Sequence, residues 1–251
     1  MVLALVPSLI GVGITVGLAG LAVRARALTG FGGAVAAAFG AVIVVLAGFA
    51  YLALLVLFVV ASSLATRVGF HRKELAQLQE GRHGERGVSN VLSHILAPTA
   101  LVVLAAVSPA TVPAPALMWM YTGALAFGTS DTFASELGVL SGQARSIITG
   151  RPVPPGTNGG VSVQGEGWAA VGAIATALVA AGLFLALGGP LPTASFVLFA
   201  ALAGFLGCQI DSILGDTLEN RGWLTKGGTN FLGMLSSIAI VALILQAGGA
   251  R

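Results

Sequence analysis

The most chemically suggestive groups in this chain are the acidic residues of two segments that read alike. The first segment is Ser130-Asp131-Thr132-Phe133-Ala134-Ser135-Glu136-Leu137-Gly138. The second is Ile210-Asp211-Ser212-Ile213-Leu214-Gly215-Asp216-Thr217-Leu218-Glu219. Each runs acid, hydroxyl residue, two apolar or small residues, small residue, acid, and each closes an uncharged stretch of helical length. Acids five residues apart point about 140° apart on an α-helix, so one face carries only one of them. Asp131 with Ser135, and Asp216 with Glu219, share faces at i,i+4 and i,i+3 spacing. Two such helices converging would gather carboxylates from Asp131, Glu136, Asp211 and Asp216. Asp131 and Asp211 form the expected catalytic pair, with Ser130, Ser135 and Ser212 as further candidates. Mg²⁺ suits such a site, because it takes one or two carboxylates together with phosphate oxygens and water. The competing reading is that these acids cap helices or salt-bridge nearby arginines. Negative charge at a helix C-terminus opposes the macrodipole, which favours a compensating cation.

A second pattern occurs three times, as a glycine followed closely by an asparagine. Arg86-Gly87-Val88-Ser89-Asn90, Pro155-Gly156-Thr157-Asn158-Gly159-Gly160 and Lys226-Gly227-Gly228-Thr229-Asn230 each precede an apolar stretch. Asparagine is a favoured N-cap, so a purely structural role is one reading. The other is phosphate binding by exposed backbone N–H groups at helix starts. The candidates are Arg82, Arg86, Asn90, Arg151, Gly156, Thr157, Asn158, Lys226, Thr229 and Asn230. His94, one turn beyond Asn90, reads as a buried hydrogen-bonded histidine before a catalytic base. A P-loop, a Gly-x-Ser-x-Gly elbow and a His-Glu-x-x-His zinc pattern are all absent. His71 and His83 have no spacing partner for zinc, and Cys208 sits in an apolar helix with no obvious partner.

These groups need a scaffold, and the scaffold is apolar. Only 8% of the 251 residues are charged and 56% are hydrophobic, against about 25% charged in soluble domains. Charge-free stretches run 1–23, 27–66, 87–130, 167–210 and 227–250. A membrane span needs roughly 20 apolar residues, so the outer stretches hold one helix each and the inner three hold two. The expectation is an all-α, polytopic transmembrane bundle of about eight helices, a single domain over 1–251. Turns are expected at Gly48, around Pro109, Pro113 and Pro115, and at 188–192; a single bent helix over 29–63 would reduce the count to seven. The first stretch lacks a basic start and reads as a retained helix rather than a signal peptide. The similar segments end the fifth and seventh predicted helices, which makes helices four-five and six-seven parallel internal repeats.

Arg24 and Arg26, Arg67 to Arg86, Arg145 with Arg151, and Arg221 with Lys226 follow alternate predicted helices. All then fall on one face, which the positive-inside rule makes cytoplasmic. That face carries a basic loop over 67–90, helical from Lys73 to Glu80, and a Gly/Pro-rich loop over 141–167. The acids lie in the same inner segments, so no ionisable group is expected at mid-membrane depth, where ion pathways usually place one. The net charge of +3 is borne by loops and points to anionic headgroups or phosphates, not nucleic acid.

Three of these segments, 130–138, 155–162 and 211–215, together with Ser62-Ser63-Leu64-Ala65-Thr66-Arg67, resemble a family of integral membrane proteins. That family includes the plant phytyl-phosphate kinase and many uncharacterised members. The resemblance covers most of the chain, in order. It implies a Mg²⁺-dependent phosphotransferase that moves a phosphoryl group from a nucleoside triphosphate, CTP by preference, to a prenyl monophosphate. The product is a prenyl diphosphate, made at the cytoplasmic face of a prokaryotic plasma membrane. Departures lie at Val91-Leu92-Ser93-His94, where smaller residues are expected, and at Asp216, where a neutral residue is common. A CTP-dependent lipid cytidylyltransferase and an anion or lipid-phosphate transporter are the alternatives, and a homodimeric state is left open.

Overall fold

Glycine and proline decide where this chain breaks into helices. In the computed structural model, which describes residues 2–248 with side chains from Ser8 onward, the first helices are α1 (Val2–Arg24), α2 (Gly30–Leu46) and α3 (Phe49–Arg67). Arg251 lies outside the described residues. Gly48 separates α2 from α3 at φ 95°, a conformation that a Cβ resists, so no continuous bent helix forms over 29–63. Next come α4 (Phe70–Leu75), α5 (Val88–Val107) and α6 (Ala114–Gly138). The segment Ser108–Pro113 parts α5 from α6. A three-residue turn at Val139–Ser141 leads into β1 (Ala144–Ser146), β2 (Pro152–Val153) and β3 (Gly160–Val161). The chain ends in α7 (Val163–Ala186), α8 (Ala194–Leu214), a π-wound segment at Gly215–Glu219 and α9 (Lys226–Ala247).

One expectation about the loops needs correcting. The helix expected over Lys73–Glu80 is instead α4, earlier and only 6 residues long. Gly69 starts it from the left-handed region at φ 62°, and Gln77, at φ 57°, prevents its continuation. The Gly/Pro-rich loop over 141–167 has internal order. Its three short strands pair antiparallel in the order β2-β1-β3, and α7 begins within it.

The architecture is an all-α membrane bundle with eight helices of 17 residues or more among the described residues. Five of them, α3, α5, α7, α8 and α9, are long and apolar enough to cross a bilayer, while the described apolar parts of α1 and α2 are 17 residues each. α6 stands at the centre, packed against α3, α5, α7, α8 and α9. Its Tyr121, Ala124, Leu125, Ala126 and Phe127 are fully buried. This explains how the least apolar long helix fits the bundle: protein, not lipid, surrounds it.

Close packing of α6 depends on glycine. Without a hydrophobic gradient between helix and lipid, small residues that admit backbone contact drive association. A Cβ on Gly204 of α8 would lie 2.5 Å from Ala126 Cβ, 2.7 Å from Ala126 C and 2.8 Å from Phe127 N. Backbone cannot step aside as a flexible side chain can. Gly204→Val should therefore destabilise the bundle by about 1–3 kcal/mol, read as a lower thermal midpoint in detergent. Gly182→Ala, where a Cβ meets nothing within 4 Å, should leave the midpoint unmoved.

The charged loops meet at one end. Thr29 N donates to Arg86 O and Arg86 N donates to Ala27 O, joining the α1–α2 turn to the entry of α5. Gly156 packs on Leu78, Gly159 on Asp216, and Lys226 faces Glu80. Charge segregated along the sequence is thus charge segregated in space.

Candidate functional site

At that end the C-termini of α6 and α8 meet the N-termini of α7 and α9 around a cavity of about 360 Å³. Residues Gln77–Glu80, from the segment after α4, and the turn 155–160 form the rest of its wall. Its size falls within the range of about 300–1,000 Å³ usual for ligand sites, and its lining is predominantly polar.

Asp131 and Asp211, from α6 and α8, both line this cavity. Asp131 accepts no hydrogen bond from any described residue. With its amide oriented to satisfy both neighbours, Asn230 donates to Asp211 Oδ1 at 3.3 Å and to Lys226 O at 3.1 Å. Thr229 Oγ1 donates to Glu219 Oε2 at 3.3 Å. Lys226 Nζ stands at the rim, its side chain 63% exposed, 3.8 Å from Glu80 Oε2. Ser135, Ser212, Gly156, Thr157 and Asn158 share the lining.

The other two expected metal ligands are engaged elsewhere. Glu136 touches the cavity, but its Oε2 is 2.5 Å from Lys73 Nζ and its Oε1 accepts from Thr66 Oγ1 at 2.9 Å. Lys73 comes from α4 and is itself almost wholly buried. Asp216 lies under the strands and outside the cavity, accepting from Ser146 Oγ at 2.5 Å and Ile148 N at 3.1 Å. It therefore parts company with Glu219, with which it would share a face at α-helical spacing. The reason is local winding: Asn220 N bonds back to Gly215 O, an i→i+5 bond. Among the described residues no three acidic, histidine or cysteine side chains form a ready metal cluster. Asp216→Ala should free the β1–β2 turn, raising hydrogen exchange at the Ile148 amide roughly tenfold or more, since bonds to charged groups are worth about 1.5–3 kcal/mol.

Several phosphate candidates also move. None of the three asparagines is an N-cap. Gly87 caps α5, Ser162 caps α7 by accepting from Gly165 N, and Thr225 caps α9 by accepting from Gly228 N. Asn90 sits inside α5 and donates to Glu80 Oε1. Asn158 lies in the turn before β3, and Asn230 faces Asp211 from within α9. Arg82 and Arg151 are exposed and line no part of the cavity. Arg86 is buried and donates to Ser62 O and Thr66 Oγ1, while its Nη1 has no partner. Burial pulls its guanidinium below the usual arginine value, opposed by the carboxylates of Glu136, Glu80 and Asp131. It stays protonated, as arginine does in proteins. Ser130 holds α6 to α7 through Ala169 O. His94 is buried between Phe58 and Phe127, with Nδ1 3.0 Å from Asn90 O.

Lys73, Thr66, Glu80 and Glu166 are the site neighbours to which sequence reasoning assigned no role, and Glu219 was read only as sharing a face with Asp216. Glu219 was visible as the last acid of a motif, and Glu166 as the sole acid opening α7, where its carboxylate accepts from Gln209 Nε2. Lys73 left no signal in spacing, because its burial depends wholly on tertiary contact.

Fold and site together define a polytopic helical membrane protein with one polar, carboxylate-bearing cavity at the charged end. The chain belongs to the integral membrane protein family DUF92, whose profile matches residues 13–240. It is 38% identical over 203 residues to the uncharacterized membrane protein sll0875 of Synechocystis, covering 76% of this chain and 74% of that one. It is 36% identical over 193 residues to Protein PGR of Arabidopsis thaliana, covering 70% and 67%. It is 30% identical over 209 residues to the uncharacterized membrane protein MJ0933 of Methanocaldococcus jannaschii, covering 82% and 80%. No solved structure matches it significantly.

Proposed function

We propose that this chain is a prenyl-phosphate kinase of a prokaryotic plasma membrane, using CTP and Mg²⁺, with its polar end at the cytoplasmic face. The observation that carries the reading is the pair Asp131 and Asp211 lining one polar cavity at the end of an apolar bundle. Two carboxylates facing one cavity, without a third ready ligand among the described residues, fit Mg²⁺, which prefers to complete its shell with phosphate oxygens and water. They fit poorly to a closed, all-protein metal site. Bound there, Mg²⁺ would neutralise charge on the triphosphate.

An oxygen of the prenyl monophosphate attacks the γ-phosphorus of CTP. The bond from that phosphorus to the β–γ bridging oxygen breaks, and its electron pair leaves on CDP. The attacking oxygen is already ionised, so the protein need supply no base; its task is positioning and charge compensation. Lys226, at the rim, would hold phosphate oxygens, helped by the backbone N–H groups of Gly156 and Asn158, whereas the Thr157 N–H is already engaged by Pro154 O. Glu136 serves instead as the partner of Lys73.

Lys226→Gln should raise KM for CTP about 10- to 100-fold with a smaller effect on kcat, the loss expected for one charge-assisted contact. The reading as a whole is tested with purified protein in lipid nanodiscs, Mg²⁺, γ-labelled CTP and phytyl or geranylgeranyl monophosphate. Label recovered in the lipid diphosphate supports it. Labelled pyrophosphate together with a CDP-lipid would make the chain a cytidylyltransferase.

A further inference from the structure

A second cavity, of about 270 Å³, opens between α1, α2 and α3. Its walls are apolar, built from residues such as Leu18, Ala22, Ala36, Leu52, Val56 and Val60, and Arg67 closes one end. It shares no lining residue with the carboxylate cavity. α3 stands between the two. Ser62 and Thr66 on one side of that helix bond Thr132 and Glu136 of α6, while Val56, Val60 and Arg67 line the groove.

The polar end of the groove is strongly cationic. Arg67 Nη2 donates to Ala25 O, tying the end of α3 to the end of α1. That bond occupies one of the five guanidinium donors. Arg24 and Arg26 flank Ala25, and all three arginines are exposed. None of them forms a salt bridge among the described residues.

We propose that this groove binds one anionic phospholipid, its acyl chain between α1, α2 and α3 and its phosphate on Arg67, Arg24 and Arg26. Charge complementarity selects that occupant. The walls suit a hydrocarbon chain, and the guanidinium forks match phosphate oxygens in a bidentate manner. Three arginines without an acidic partner among the described residues favour a headgroup of net negative charge over a zwitterion that carries its own cation. The arginines lie at helix ends, the level where headgroups meet a bundle that spans the bilayer. The site is independent of the kinase reading, because α3 keeps its occupant away from Asp131 and Asp211.

The test is native mass spectrometry of the detergent-purified full chain, titrated with phosphatidylglycerol or with phosphatidylcholine of the same acyl chains. One phosphatidylglycerol per chain is expected, retained about tenfold better than phosphatidylcholine, as one charge-assisted contact implies. Arg67→Gln should remove that preference. Ala36→Phe, which fills the groove and keeps every arginine, should abolish retention of both lipids. Circular dichroism of each variant verifies that the bundle is folded. Equal retention of the two lipids by the native chain would overturn the proposal, as would full retention by folded Ala36→Phe. A dimer that cross-links through groove residues would also overturn it.

Discussion

Replacing Asp131 or Asp211 with asparagine is expected to lower kcat/KM for phosphoryl transfer by about 10²–10³, the loss typical of removing one preorganised electrostatic contact to a transition state. Asparagine keeps the shape and removes the charge, so the bundle should remain folded. The two carboxylates line one cavity from different helices, and the proposal gives them one ion to hold. Residues that act as a unit are not additive, so the double variant should be little worse than either single one. Single-turnover assays with labelled CTP measure this. Full activity in either folded variant would remove the pair from the mechanism.

The second large effect concerns stability. Lys73 Nζ lies 2.5 Å from Glu136 Oε2 and 2.6 Å from Thr66 O, and Thr66 Oγ1 in turn donates to Glu136 and accepts from Arg86. This buried cluster pins α4 and the segment leading to α5 against α3 and α6. Removing one partner of a buried pair leaves an uncompensated charge and costs about 3–5 kcal/mol. Lys73→Met should fall in that range. Lys73→Met combined with Glu136→Leu should recover most of the loss, because an apolar pair replaces the ionic one without stranding a charge. Thermal unfolding of the two single variants and the double variant in one detergent gives the coupling energy. A neutral Lys73→Met would show that the pair carries no such weight.

These two predictions mark where sequence reasoning succeeded and where it stopped. Long uncharged stretches announced the helices, because nothing except protein or lipid can surround them, and Gly48 broke α2 from α3 as a left-handed position must. Asp131 and Asp211 were legible because each closes such a stretch within a repeated motif. Their motif partners were not equivalent. Glu136 is claimed by Lys73, a residue 63 positions away, and Asp216 by strands that form only when 144–161 folds back. The asparagines misled for a related reason. Ser162 and Thr225 lie ahead of the helices they cap, and an Asn-rich start conceals which residue has the extended backbone that a cap requires. Periodicity reports what a residue's own element does; it is silent on which distant side chain will compete for a carboxylate.

The central claim, that Asp131 and Asp211 together hold a divalent cation with the nucleotide, is tested most directly by titrating Mn²⁺ into the protein with CTP present and reading bound ion by electron paramagnetic resonance. The native chain and Asp216→Asn should each bind one Mn²⁺, and Asp131→Asn and Asp211→Asn should each lose it. Undiminished Mn²⁺ binding in both Asp131→Asn and Asp211→Asn would contradict the account.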